Sequence, residues 1–151
     1  MKATDLLKKQ HREVKGLFKK VEKTENASER RSLMETITEE LQMHTTIEEE
    51  IFYRAVREIE SKKAEQMIDE ALEEHHVVKL VLAELPKVDP QDERFEAKMT
   101  VLSELVQHHV EEEESEMFKL AEKLGKEELS DLGKQMAGRV EELKGMRRKA
   151  A

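Results

Sequence analysis

The sequence predicts an all-α fold: an antiparallel up-down-up-down four-helix bundle followed by a short C-terminal extra helix. Three observations predict it. Charged residues make up 41% of the 151-residue chain and aromatics 3%, with five glycines, two prolines and no tryptophan, a balance that suits long solvated helices and not a β-rich fold. Apolar residues recur at the three- and four-residue spacings of one helical face, as in Leu33, Ile37 and Leu41. Capping residues and breakers fall between these stripes and leave only short loops, which makes successive helices antiparallel neighbours.

Thr4 is placed to cap a first helix running to about Thr24, with Leu7, Val14, Phe18 and Val21 on its apolar face. Ser28 follows TENA and caps a second helix that reaches about Glu60 and carries Leu33, Ile37, Leu41, Ile51 and Ile59. Ser61 caps a third that stops before Pro86, with Ile68, Leu72, Val78, Leu82 and Leu85 facing inward. In VDPQDE, Asp89 is a cap with Pro90 in the first helical position. The fourth helix so begun carries Phe95, Leu102, Leu105, Val106 and Leu120 and ends near Gly125 of KLGK. A fifth segment, about Lys126 to Met146, contains Gly133, Gly138 and Gly145, which lower its helix propensity. Residues 1–125 are read as the bundle with a central site, and 126–151 as a helical extension packed on it or trailing from it.

Composition narrows the function. A net charge of −8, with no basic stripe except the short tail Arg147, Arg148 and Lys149, argues against a nucleic-acid surface. The absence of cysteine excludes disulfides, thiolate ligands and thiol catalysis, and fits a reducing cytoplasm. No apolar run reaches the ~18 residues of a membrane span. There is no nucleotide-binding glycine loop, and no hydrolytic triad stands out.

The chemistry lies in an internal repeat. His11 is followed by Val14 and Leu17-Phe18 as His75 is by Val78 and Val81-Leu82; His44 and Glu48, then Phe52-Tyr53, are echoed by His109 and Glu113, then Met117-Phe118. Each half therefore contributes one lone histidine and one HxxxE. The four-residue spacing puts histidine and glutamate on one face, and that face is the apolar one. Midpoints between successive histidines fall at residues 27–28, 59–60 and 92, close to the expected turns, so all four occupy one layer of the bundle. Buried carboxylates and imidazoles without compensation would each carry a penalty of roughly several kcal/mol, against a net stability of about 5–15 kcal/mol. No arginine accompanies them, so a bound cation is the economical partner, and two cations bridged by the carboxylates fit the two-fold donor count. Nitrogen and carboxylate donors without sulfur suit iron, manganese or zinc. The metal-ligand candidates are His11, His44, Glu48, His75, His109 and Glu113.

Neighbouring residues read differently. His76 and His108 point away from these aims and are expected in solvent, and Lys15 and Lys79 are expected to snorkel or pair with carboxylates. Glu49 and Glu114 are fallback ligands if the register shifts. Tyr53 lies nine residues past His44, half a turn away around an uninterrupted helix, and is expected to pack or face solvent.

The order His11, His44-Thr-Thr-Ile-Glu48, His75, His109-Val-Glu-Glu-Glu113 resembles the hemerythrin-like HHE cation-binding domains over about residues 3 to 125. The resemblance implies a non-haem di-iron centre: His11 and His44 on one iron, His75 and His109 on the other, Glu48 and Glu113 bridging, with an oxo or hydroxo group between the metals. The oxygen carriers of the family have a further histidine four positions after the third, where this chain has Lys79, and an aspartate five after the last, where it has Glu114. The resemblance therefore points away from reversible oxygen carriage and towards a protein that binds or turns over a small oxidant (oxygen, hydrogen peroxide or nitric oxide). The alternative it leaves is an iron-sensing or storage module whose metal occupancy controls folding or partner binding.

Overall fold

The computed structural model describes residues 1–150; Ala151, the last residue of the expected extension, lies outside the described residues. Among these residues there are five long helical segments and no strand. Helix α1 is Ala3–Lys23. Helix α2 covers residues 27–57 as an α-helical stretch Ala27–Ile47, a π-helical turn Glu48–Phe52 and a last turn Tyr53–Arg57. Helix α3 is Lys62–Glu84 and tightens into a 3₁₀ turn, Leu85–Lys87. Helix α4 covers residues 93–121, again with a π-helical turn, Glu113–Met117, between Glu93–Glu112 and Phe118–Ala121. A 3₁₀ turn, Glu122–Leu124, and Gly125 with φ +90 lead into α5, Lys126–Ala150.

Three expected caps move. The N-cap of α1 is Lys2, with no side-chain bond, and Thr4 is buried inside the first turn. Asn26, not Ser28, caps α2, its side-chain oxygen accepting from Glu29 N–H at 2.9 Å. Asp89 accepts from Gln91 N–H inside a turn, and Asp92 caps α4 by accepting from Arg94 N–H. At α2 and α4 an adjacent side chain satisfies a first free N–H group, and the cap belongs to whichever side chain reaches it. Ser61 caps α3 as expected, accepting from Ala64 N–H at 2.9 Å. Helix α5 is longer than the sequence suggests and runs through Gly138 and Gly145.

Helices α1 to α4 close a ring, each packed on the next and α4 on α1, while α5 lies on α1 and α2. Two apolar clusters fill the interior. One, with Phe18, Ile37, Leu82 and Phe95, lies towards the start of α2; the other, with Phe52, Ile68, Phe118 and Met136, includes α5. The layer between them holds polar side chains. No helix among the described residues is long and apolar enough to cross a membrane.

Candidate metal centre

The six expected donors meet in that layer, all buried. Glu48 Oε1 lies 3.2 Å from His44 Nε2, 3.1 Å from His75 Nε2 and 3.8 Å from His109 Nε2. Glu113 Oε1 is 3.3 Å from His11 Nε2, and its Oε2 is 3.2 Å from His109 Nε2. The inner nitrogens of His11 and His44 are 3.1 Å apart and those of His75 and His109 3.2 Å. Two overlapping donor groups result: His11, His44, Glu48 and Glu113, and Glu48, His75 and His109.

The outer nitrogens are held too. His11 Nδ1–H donates to Glu114 at 2.7 Å, His75 to Glu49 at 2.7 Å, His109 to Glu74 at 2.8 Å, and His44 to the side-chain oxygen of Gln10 at 2.6 Å. Such bonds fix each ring and aim its inner nitrogen at the centre. Glu49 and Glu114 thus stand behind histidines instead of joining the inner set, and Lys79 pairs with Glu49 at 2.9 Å. His76 is exposed, and the His108 side chain, 63% exposed, pairs with Glu112.

Tyr53 overturns its expectation. It is 2% exposed, and its hydroxyl donates to Glu113 Oε2 at 2.6 Å and lies 3.2 and 3.3 Å from the inner nitrogens of His75 and His109. The π turn is the reason. Tyr53 N–H bonds to the Glu48 carbonyl, five residues back, so one extra residue enters that turn and rotates everything beyond it by about 100° towards the core. The matching turn in α4, with Phe118 N–H on the Glu113 carbonyl, brings Phe118 against His11, ring centres 6.2 Å apart and nearly parallel. The signal in the sequence was the Phe52-Tyr53 and Met117-Phe118 echo, whose second members, Tyr53 and Phe118, lie five residues after the glutamate and fall out of α-helical phase with the HxxxE before them.

Burial and the carboxylates set the ionisation. Burial pushes the His109 imidazolium towards its neutral form, but Glu113, Glu48 and Glu74 outweigh it and raise the pKa to about 12. Burial likewise opposes charge on His11 and His75, and Glu113 and Glu48 respectively lead the groups that raise both. Burial raises Glu48, yet the His44 charge, and after it the close approach of Glu113, His109 and His44, hold it well below the usual carboxylate range. Tyr53 is pushed well up, by burial first and then by Glu113 and Glu48.

Do these residues fit a metal? Both oxygens of Glu48 and Oε1 of Glu113 are buried without a hydrogen-bond partner. Leaving one charged buried acceptor unmet costs about 1–3 kcal/mol or more. A cation among four aimed imidazole nitrogens satisfies all three, so the donor set fits.

Comparison with known proteins agrees in kind. Residues 2–121 match the family model described as the hemerythrin HHE cation binding domain. The uncharacterized protein Rv2633c of Mycobacterium tuberculosis (strain ATCC 25618 / H37Rv) is 32% identical over 148 residues, covering 96% of this chain and 89% of that protein. A crystal structure of a hemerythrin HHE cation binding domain-containing protein, the Rv2633c homolog from Mycobacterium kansasii, superposes with a TM-score of 0.84 at 28% identity, covering 97% of this chain and 89% of that one. A DNA nickase of Nostoc sp. is 26% identical over 118 residues, 78% of this chain and 33% of that protein.

Proposed function

Because the chain belongs to the hemerythrin HHE cation-binding domain family, we propose that it holds two iron ions at the level of its four inner histidines and binds or turns over a small oxidant: dioxygen, hydrogen peroxide or nitric oxide. The observation that carries this reading is the pair of buried carboxylates, Glu48 and Glu113, whose unpartnered oxygens face imidazole nitrogens from all four helices. His11 and His44 would hold one ion, His75 and His109 the other, and both carboxylates would be shared. Zinc and manganese suit the same donors. The reading takes α1 to α4 as an antiparallel up-down-up-down bundle and α5 as an extension on it, supported by the short loops and the shared histidine level.

Bound iron supplies Lewis acidity and redox equivalents. The chain's own residues do the rest. Glu114, Glu49, Glu74 and Gln10 fix the rings. An apolar cavity of about 20 Å³ adjoins the imidazoles, walled by Val14, Leu41, Val78, Val106 and Val110. A space of ~10–15 Å³ admits one water, so this one has the size of a very small ligand. Tyr53 holds a proton at Oη against Glu113 Oε2, a short path for proton exchange at the centre. From outside, a groove of about 280 Å³ beside Arg12 and Lys15 reaches His11 and Glu114.

Aerobic reconstitution with iron, elemental analysis and then peroxide addition test the proposal. Oxygen release above a free-iron control, or a spectral change with nitric oxide, is expected; neither appearing removes the oxidant role.

One observation favours a second reading, a sensor or storage module. Arg139 of α5 grips Glu50, a residue of the π turn that carries Glu48, with contacts of 2.9 and 3.3 Å. In this reading metal occupancy at Glu48 would bias the seat of α5 through that pair. A change in protease sensitivity of α5 on metal loading, without turnover, supports this reading over the first.

A further inference from the structure

The four imidazoles are not backed alike. His11, His75 and His109 each donate their outer N–H to a carboxylate, whereas His44 donates to the neutral amide of Gln10. A carboxylate behind an imidazole raises the basicity of its inner nitrogen; an amide orients the ring without adding charge. The inner carboxylates are not evenly shared either: Glu48 lies 3.2 Å from His44, 3.1 Å from His75 and 3.8 Å from His109, Glu113 lies 3.3 Å from His11 and 3.2 Å from His109, and the donor group around His11 and His44 includes both carboxylates where that around His75 and His109 includes Glu48 alone. Outside the donor set the difference runs the other way: two carboxylates back the His75–His109 pair, one carboxylate and one amide the His11–His44 pair. The two π turns also differ: the Tyr53 hydroxyl stands beside the His75–His109 pair while donating to Glu113, and Phe118, its repeat counterpart, brings only a ring to His11. Lys79 shares Glu49 at 2.9 Å and draws on part of its charge, but the partner of His75 remains a carboxylate.

We infer that the two cation positions differ in affinity and fill in order, the His75–His109 position first, and that Gln10 is the positioning residue that sets the gap. The inference rests on the two-cation reading above. Replacing the amide by a carboxylate makes the backing of His44 like that of the other three, and the change acts on the weaker position alone.

The test is an anaerobic titration of the metal-free protein with Co²⁺, followed by calorimetry and by visible absorbance. Wild-type protein binds two ions in two resolved steps. Gln10→Glu raises the affinity of the second step by roughly tenfold and leaves the first in place, on the scale of outer-partner effects. Glu74→Gln, behind His109, lowers the first step and narrows the gap from the other side, and it decides the matter if the first variant does not fold. Two ions bound in one unresolved step, or a Gln10→Glu gap equal to that of wild type, overturns the inference and leaves the two-cation reading standing. Fewer than two ions at saturation overturns the reading beneath it.

Discussion

Glu48 is fully buried with neither oxygen hydrogen-bonded, and Glu113 is 2% exposed with one oxygen in the same state. Around them the raised His11, His75 and His109 favour their protonated forms in the metal-free chain, so a cation that enters would displace protons. Glu48→Gln removes one of the two carboxylates that the proposed centre would share between its metals. It is expected to lower metal affinity by more than the roughly 10–100-fold of losing an outer partner, read from metal retained after desalting against a chelator. Retention equal to wild type would take Glu48 out of the site. Tyr53→Phe removes a hydrogen bond to a buried carboxylate and is expected to lower the stability of the metal-free protein by roughly 1.5–3 kcal/mol in urea denaturation. The six inner donors were legible because an apolar stripe makes a buried histidine or glutamate conspicuous. Tyr53 was not, since its place depends on a backbone irregularity that spacing alone does not announce. Gln10 and Glu74 were missed for a different reason: an outer partner comes from another helix, and nothing local to the histidine marks it.

Between residue and fold stand the π turns and the helix ends. A π turn in each HxxxE segment adds one residue to the turn that begins at the inner glutamate, which is why Tyr53 and Phe118, five residues past Glu48 and Glu113, are buried beside the centre. Cap positions were displaced by two or three residues, at α2 and α4 because several side chains able to cap lie close together in the loop. The glycines of α5 divide sharply. A Cβ at Gly133 would run into the Met1 carbonyl oxygen and come within 3.0 Å of Ala3 N, whereas one at Gly138 meets nothing within 4 Å. Gly133→Ala is therefore expected to lower stability by about 1–3 kcal/mol, as overpacking does, and Gly138→Ala to raise it by about 0.8–1 kcal/mol through helix propensity. Thermal denaturation of the two variants side by side checks both signs. What the sequence read as weakness in α5 is, at Gly133, the space that lets the N-terminus cross.

For the whole molecule, the ionisation of the centre couples stability to pH and to metal. His11, His75 and His109 have folded-state pKa values raised above 6.5, so the stability they contribute to the metal-free protein is complete below that pH and declines as pH rises through the raised values. Glu48 is lowered below 4.5, so its contribution is present above that pH and is lost as pH falls through its folded value. The metal-free protein should thus be most stable between about pH 4.5 and 6.5 and melt progressively lower towards pH 9. Melting curves across that range, with and without chelator, check it, and the metal-loaded protein should lose less between pH 6.5 and 9 because its imidazoles are already neutral. The most direct measurement of the central claim is the number of iron ions held per chain after anaerobic ferrous loading and desalting. Two per chain, falling in both Glu48→Gln and His109→Ala, is the result predicted; an unloaded chain, or a content indifferent to both substitutions, would contradict it.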